Sequence, residues 1–367
     1  MRPASIWLLV LMLAGCAVER GVETRPPDTA APTSVSDSPG SSTTGLPPTT
    51  TTPTAPLPRF DLSAHSVWFG PNFGSVDFPD LFSQPRRWRA ARGQVDVIKF
   101  YANAVSGFPF DIGGDNVLST FVDVDAFEKL LDWDIAIAVE AGAIKFFECS
   151  PDPWAEYTNA AIANIEANGG RVSFVAMDEP LIGGQIVEKG QTCGFSMAET
   201  AEVVVDYVDQ VASAYPDVII GDIEAYPHYS VAELEDWILA LEEAGYTPAF
   251  LHLDVDIQRT EDEGQDVVAD LRRLEDFTAD HGIPFGVILT SNWTFADTDQ
   301  RYYESTMRWT ETVSTALERP MHVVLQSWWG PAPSGLHEVP VNLPEDDPHV
   351  YSHTRLILEV LEFLGRQ

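Results

Sequence analysis

Beyond residue 58 the chain alternates short runs rich in Val, Ile, Phe and Ala with longer stretches whose apolar residues recur at helical spacing. Eight of the runs, over 67–72, 95–103, 135–140, 172–179, 218–225, 249–256, 284–292 and 322–328, predict β-strands. Each of the first seven precedes a helical stretch, among them 197–215, 231–244 and 264–280, and a last helix is predicted over 348–364. Eight β/α units in about 300 residues is the arithmetic of a single α/β domain of the (β/α)8 barrel type. A doubly wound open sheet is the alternative, but no Gly-x-Gly-x-x-Gly follows the first strand to mark a dinucleotide site.

The first 58 residues do not share this cadence. Residues 1–16 carry Arg2, an apolar stretch from Ile6 to Leu13 and the ending Leu13-Ala14-Gly15-Cys16, too short to span a bilayer as a permanent helix. This resembles the signal peptide and lipobox of bacterial lipoproteins, and the resemblance implies that Cys16 becomes the lipidated first residue, with a lipid bilayer as partner. Residues 17–58 are dominated by Pro, Thr and Ser, as in Pro47-Pro48-Thr49-Thr50-Thr51-Thr52-Pro53. Such a linker is expected to be disordered and extended, at ~3.1 Å per residue and on the order of 100 Å in all. Residues 59–367 are then the barrel domain, expected to be a monomer held at the bacterial cell surface or on a periplasm-facing membrane.

Composition narrows the partners. Of 367 residues, 56 are Asp or Glu and 21 are Lys or Arg, a formal charge of −35, nearly all of it beyond residue 58. Phosphate binding needs clustered basic side chains, and with only 4 Lys beside 17 Arg nucleic acid is excluded as a partner. No cofactor is expected. Export implies an oxidising compartment, in which Cys149 after the third strand and Cys193 in the fourth βα loop form one candidate disulfide on the same rim.

Alternate residues of a barrel strand face the lumen, and chemistry gathers where strands reach their C-terminal ends. The sixth strand ends His252-Leu253-Asp254-Val255-Asp256, with three polar side chains on one face. The fifth ends Asp222-Ile223-Glu224, the second offers Lys99 and Tyr101, the third ends on Glu140, and the eighth offers Gln326 and Trp328. Several acids converging on one rim would repel unless a substrate, proton or metal relieves them, which favours a functional rim over isolated caps and core residues. Trp293 after the seventh strand, Tyr226 and His228 after the fifth, Trp68 in the first and Trp328-Trp329 at the end of the eighth supply flat faces on which a sugar could stack, and Asn292, closing the seventh, is a further candidate to bind it.

The fourth strand closes on Met177-Asp178-Glu179-Pro180. This resembles the strand-four ending of many (β/α)8 glycoside hydrolases, where Asn-Glu-Pro supplies the general acid/base; the resemblance implies that Glu179 protonates the leaving oxygen of a carbohydrate substrate, with Asp178 at the Asn position. The retaining members of that group place a nucleophilic Glu at the end of strand seven, whereas this chain reads Leu289-Thr290-Ser291-Asn292 there. The second carboxyl must come from elsewhere. Glu224, next in strand order, is the favoured partner, and Asp254 or Asp256, two strands away, would suit an inverting base. Two other readings stay open: a divalent-metal enzyme using His252, Asp254, Asp256 and Glu224, and a carbohydrate-binding barrel without catalysis.

Overall fold

The computed structural model describes residues 60–72, 74–107, 117–145, 147–185, 187–188, 191–291, 298–317, 321–327 and 340–365. Eight strands, β1 (Ser66–Gly70), β2 (Val97–Tyr101), β3 (Ala136–Ala141), β4 (Val172–Asp178), β5 (Ile219–Tyr226), β6 (Leu251–Val255), β7 (Phe285–Leu289) and β8 (His322–Gln326), are those expected from the hydrophobic runs. Each pairs in parallel with its neighbours in sequence, and Ser66 of β1 pairs with His322 of β8 to close a single (β/α)8 barrel. Strands covered on both faces need apolar side chains in both directions, which is why they read as nearly continuous hydrophobic runs rather than as alternations. Among the described residues a short antiparallel pairing of Val187–Glu188 with Gln191–Thr192 lies in the loop after β4.

The registers assign the faces. Trp68, Val97 and Ala136 lie level, as do Ala138 and Phe174, Ile223 and His252, and His252 and Gly286, so these positions and their second neighbours line the lumen. Intervening residues such as Phe100 pack outward, against Phe78, Phe121 and Phe127 at ring distances of 5.5, 5.0 and 5.4 Å. The lower lumen is plugged by Trp68, whose ring meets Phe174, Phe250, His252 and His322 at 4.9, 5.1, 4.8 and 5.4 Å. Gly221 and Gly286 make room for this plug, since a Cβ would lie 2.5 Å from the Phe250 ring on the first and 2.7 Å from His322 on the second.

Helix boundaries moved from their expected places where a cap intervenes. The helix expected from residue 264 begins at Val267, because Gly264 in the left-handed region ends a separate helix, Ile257–Glu263, and Asp266 caps the next by accepting from Ala269 N. The last helix begins at His353 rather than at 348, behind a Ser352 cap. Met197–Ala214 and Val231–Glu243 each start on a reciprocal Ser-x-x-Glu box, Ser196 with Glu199 and Ser230 with Glu233. Among the described residues no helix is long and apolar enough to cross a membrane.

Candidate active site

β4 points Phe174, Ala176 and Asp178 into the lumen and then breaks its own alternation. Glu179 has φ of 49°, in the left-handed region where a side chain with a Cβ costs about 1–2 kcal/mol. Its backbone is held on both sides, the N–H donating to Ile223 O at 3.0 Å and the carbonyl accepting from Gly183 N at 3.0 Å. The turn sets Glu179 beside Asp178 at the barrel mouth, Glu179 at 6% exposure and Asp178 at 36%.

Lys145, from the loop after β3, reaches this strand end and donates to Asp178 Oδ2 at 2.8 Å and to Asp178 O at 2.6 Å. The loop is held close because Gly183 has no side chain; a Cβ there would lie 2.2 Å from Ile144 O. The disulfide Cys149–Cys193, with Cα atoms 5.4 Å apart, joins the loop after β3 to the loop after β4, as their shared rim suggested. Gly183 and Gly184 lie buried in the helix Pro180–Gln185 and permit this close approach.

On the adjoining strands β2 and β3, Lys99 is fully buried and pairs with Glu140 Oε2. Gln326 Nε2 donates to the same oxygen at 2.8 Å and to the Tyr101 hydroxyl at 2.8 Å. Asp254 completes the rim from β6. Burial, followed by the charges of Glu179, Glu140 and Asp178, pushes its carboxyl well above the usual range. Glu179 is raised to about 7, by burial first and then by Asp178, with Lys145 opposing. Neither carboxyl has a hydrogen bond among the described residues. Two lysines thus pair with two acids, and Glu179 and Asp254 are the carboxyls left without such a pairing among the described residues.

No protein-family model and no curated protein matches the chain. Among solved structures, the glycoside hydrolase GH5_18 from Streptomyces cattleya, in complex with GlcNAc, superposes with a TM-score of 0.50 at 11% identity over 83% of this chain and 81% of that one. The Ignisphaera aggregans GH53 catalytic domain gives 0.47 at 12% identity over 74% and 87%. This chain shares the barrel fold of glycoside hydrolases. A D-psicose 3-epimerase also superposes, at 0.44 with 10% identity over 80% and 97%. At 11% identity the likeness carries architecture alone, and any chemistry must be read from the side chains.

Read that way, the barrel departs from several expectations. Asp222 and Glu224 do share one face of β5, but it is the helix-facing one: their register partners Met177 and Leu253 both point outward. Asp222 accepts from Trp237 Nε1 at 2.9 Å and Glu224 Oε1 from Leu181 N at 2.9 Å, both at 0% exposure. Burial raises Asp222 to about 8 and Glu224 well above the carboxylate range, so both are neutral acceptors behind the site. Tyr226, on the same outward face, gives its hydroxyl to Asp270 and is no stacking platform. His252 faces the lumen but is fully buried in the aromatic plug, its Nε2 at 2.9 Å from His322 Nδ1. Asp256 caps the helix Ile257–Glu263 by accepting from Arg259 N at 2.9 Å. The four ligands of the metal reading therefore point in different directions, and among the described residues no group of three or more His, Cys, Asp or Glu could hold an ion. Trp68 is core. Cys16, Asn292, Trp293, Trp328 and Trp329 lie outside the described residues.

Lys99, Tyr101, Glu140, Asp178, Glu179, Asp254 and Gln326 are brought together, and Lys145 is an addition. Its place in a loop gives it no strand parity to read. The available signal was scarcity: a chain with four lysines uses two of them at this mouth.

Proposed function

We propose that the chain is a glycoside hydrolase-like enzyme that cleaves a polysaccharide or oligosaccharide at the mouth of the barrel, anchored to a bacterial membrane through a lipid on Cys16 and the 17–58 linker. One observation carries the catalytic part: the Glu179 carboxyl, nine-tenths buried at the end of β4, has no hydrogen bond among the described residues and is raised to about 7, as a proton donor working near neutrality must be.

Asp254 replaces Glu224 as its partner. Glu179 gives its proton to the glycosidic oxygen as the bond to the anomeric carbon breaks. Asp254, two strands away, takes a proton from the water whose oxygen forms the new bond, so the product has inverted configuration. Like charges keep both carboxyls from ionising together, and catalysis requires the remaining proton on Glu179 and the charge on Asp254. Lys99, Tyr101, Glu140, Asp178 and Gln326 supply donors and acceptors for sugar hydroxyls.

Release of reducing ends from xylan, mannan and galactan is the direct test. Glu179→Gln should lower it by about 10²- to 10⁴-fold while sugar binding persists; unchanged release in that variant would remove the assignment. The end of β7 favours a second reading, since Thr290 and Ser291 stand where a retaining enzyme has its nucleophile. Saturable binding with no release by the unaltered protein would make the barrel a carbohydrate-binding module.

A further inference from the structure

We propose that Lys145 and Glu224 are positioning residues that clamp the Glu179 turn from its two sides, Lys145 by fixing Asp178 before it and Glu224 by fixing Leu181 after it. This rests on the reading of Glu179 as the proton donor. It also gives the buried Glu224 a role other than the catalytic one first expected of it.

The clamp is visible bond by bond. Lys145, at 3% exposure, holds both the side chain and the carbonyl of Asp178. Its loop is itself fastened, by Lys145 N to Glu148 O at 3.3 Å, by Glu148 N to Lys145 O at 2.8 Å, and by the neighbouring disulfide. Beyond the turn Pro180 has no N–H, so Leu181 N is the first donor of the following helix, and Glu224 Oε1 takes it. Among the described residues Glu224 Oε2 has no hydrogen-bond partner, so a single bond spends this buried carboxyl on the turn. A left-handed Glu persists only where its surroundings hold it, and these are the side chains that do so. Lys145 also acts on the proton itself, because its charge is the one that opposes the rise in the Glu179 carboxyl. Among the described residues the other titratable groups that interact with the Glu179 charge are Asp178, Glu140 on β3, Asp254 on β6, Glu224 on β5 and Tyr229 after β5.

The test uses two readouts on the full chain. The first is titration of the Glu179 carboxyl by carbon NMR, its signal identified by its loss in Glu179→Gln. The second is kcat and KM on whichever of the three polysaccharides is cleaved. Lys145→Met should move the Glu179 titration upward and lower kcat by about 10- to 100-fold with little change in KM. Lys145→Arg should restore the titration. Glu224→Leu should lower kcat similarly, and Glu224→Gln, which keeps an acceptor oxygen, should recover most of it. If Lys145→Met does not fold, Lys145→Gln, which keeps a donor and loses the charge, is read in the same way. A Glu179 titration unmoved by loss of the Lys145 charge overturns the clamp. Full hydrolysis by Glu179→Gln overturns the proton-donor reading instead, and the NMR titration still decides the clamp.

Discussion

The two ends of the barrel lumen are built from the same strands and serve opposite ends. At the lower end Trp68, Phe174, Phe250, His252 and His322 form a plug of rings, each at 0% exposure. The two imidazoles are neutral in a single chain of bonds: His322 Nε2 donates to Leu62 O at 3.0 Å, and its Nδ1 accepts from His252 Nε2. At the upper end Lys99, Glu140, Lys145, Asp178, Glu179 and Asp254 crowd charge into the same bore, and the carboxyls of Glu179 and Asp254 have no hydrogen bond among the described residues. The difference teaches where the free energy goes. Rings at the bottom contribute stability, while the top keeps groups whose unmet interactions a ligand can complete.

The sharpest way to break this contrast is to exchange what each end is asked to do. Asp254→Asn should lower hydrolysis by about 10²- to 10⁴-fold and leave the melting temperature unchanged or higher, because it removes a like charge from Glu179, Glu140 and Asp178. Trp68→Ala should do the reverse, lowering stability by about 3–5 kcal/mol and leaving turnover per folded molecule close to normal at low temperature. Calorimetry and initial rates on the two variants decide it. A fully active Asp254→Asn would mean that the upper carboxyls are structural after all.

How much of this was legible follows the same division. The eight strands were readable because buried parallel strands are apolar in both directions, and the lumen side of β6 came out correctly, with His252 and Asp254 level on one face. A period of two says which residues share a face but not which face is inside. That is why Asp222 and Glu224, rightly grouped, were set in the lumen when they lie behind it. Nor does periodicity give depth: His252 and Asp254 are two residues apart, yet one is core and the other rim. The left-handed Glu179 carries no glycine to announce it, and Lys145 sits in a loop where no pattern exists.

The smallest effect expected, and the one that compares the two ends directly, is their opposite response to pH. Burial holds His322 down to about 4 and His252 well below its ordinary value. Their contribution is complete above the unfolded value of about 6.5 and is lost as pH falls toward 4, because the unfolded chain then binds more protons. Asp222, Glu224 and Glu179 behave in the opposite sense. Raised in the folded state, they contribute fully below the usual carboxylate range, and the contribution is lost as pH rises through about 7 for Glu179 and about 8 for Asp222. Asp222→Asn keeps an acceptor for Trp237 and removes one titration, so its melting temperature should gain on the unaltered protein between pH 5 and 8, by on the order of 2–4 °C. Because the two responses overlap below pH 6.5, the histidines are better read singly: the imidazole signal of His322 should keep its neutral position from pH 7 down to about 5. Free titration near 6.5 would show that water reaches the lower plug and that the contrast between the two ends is false.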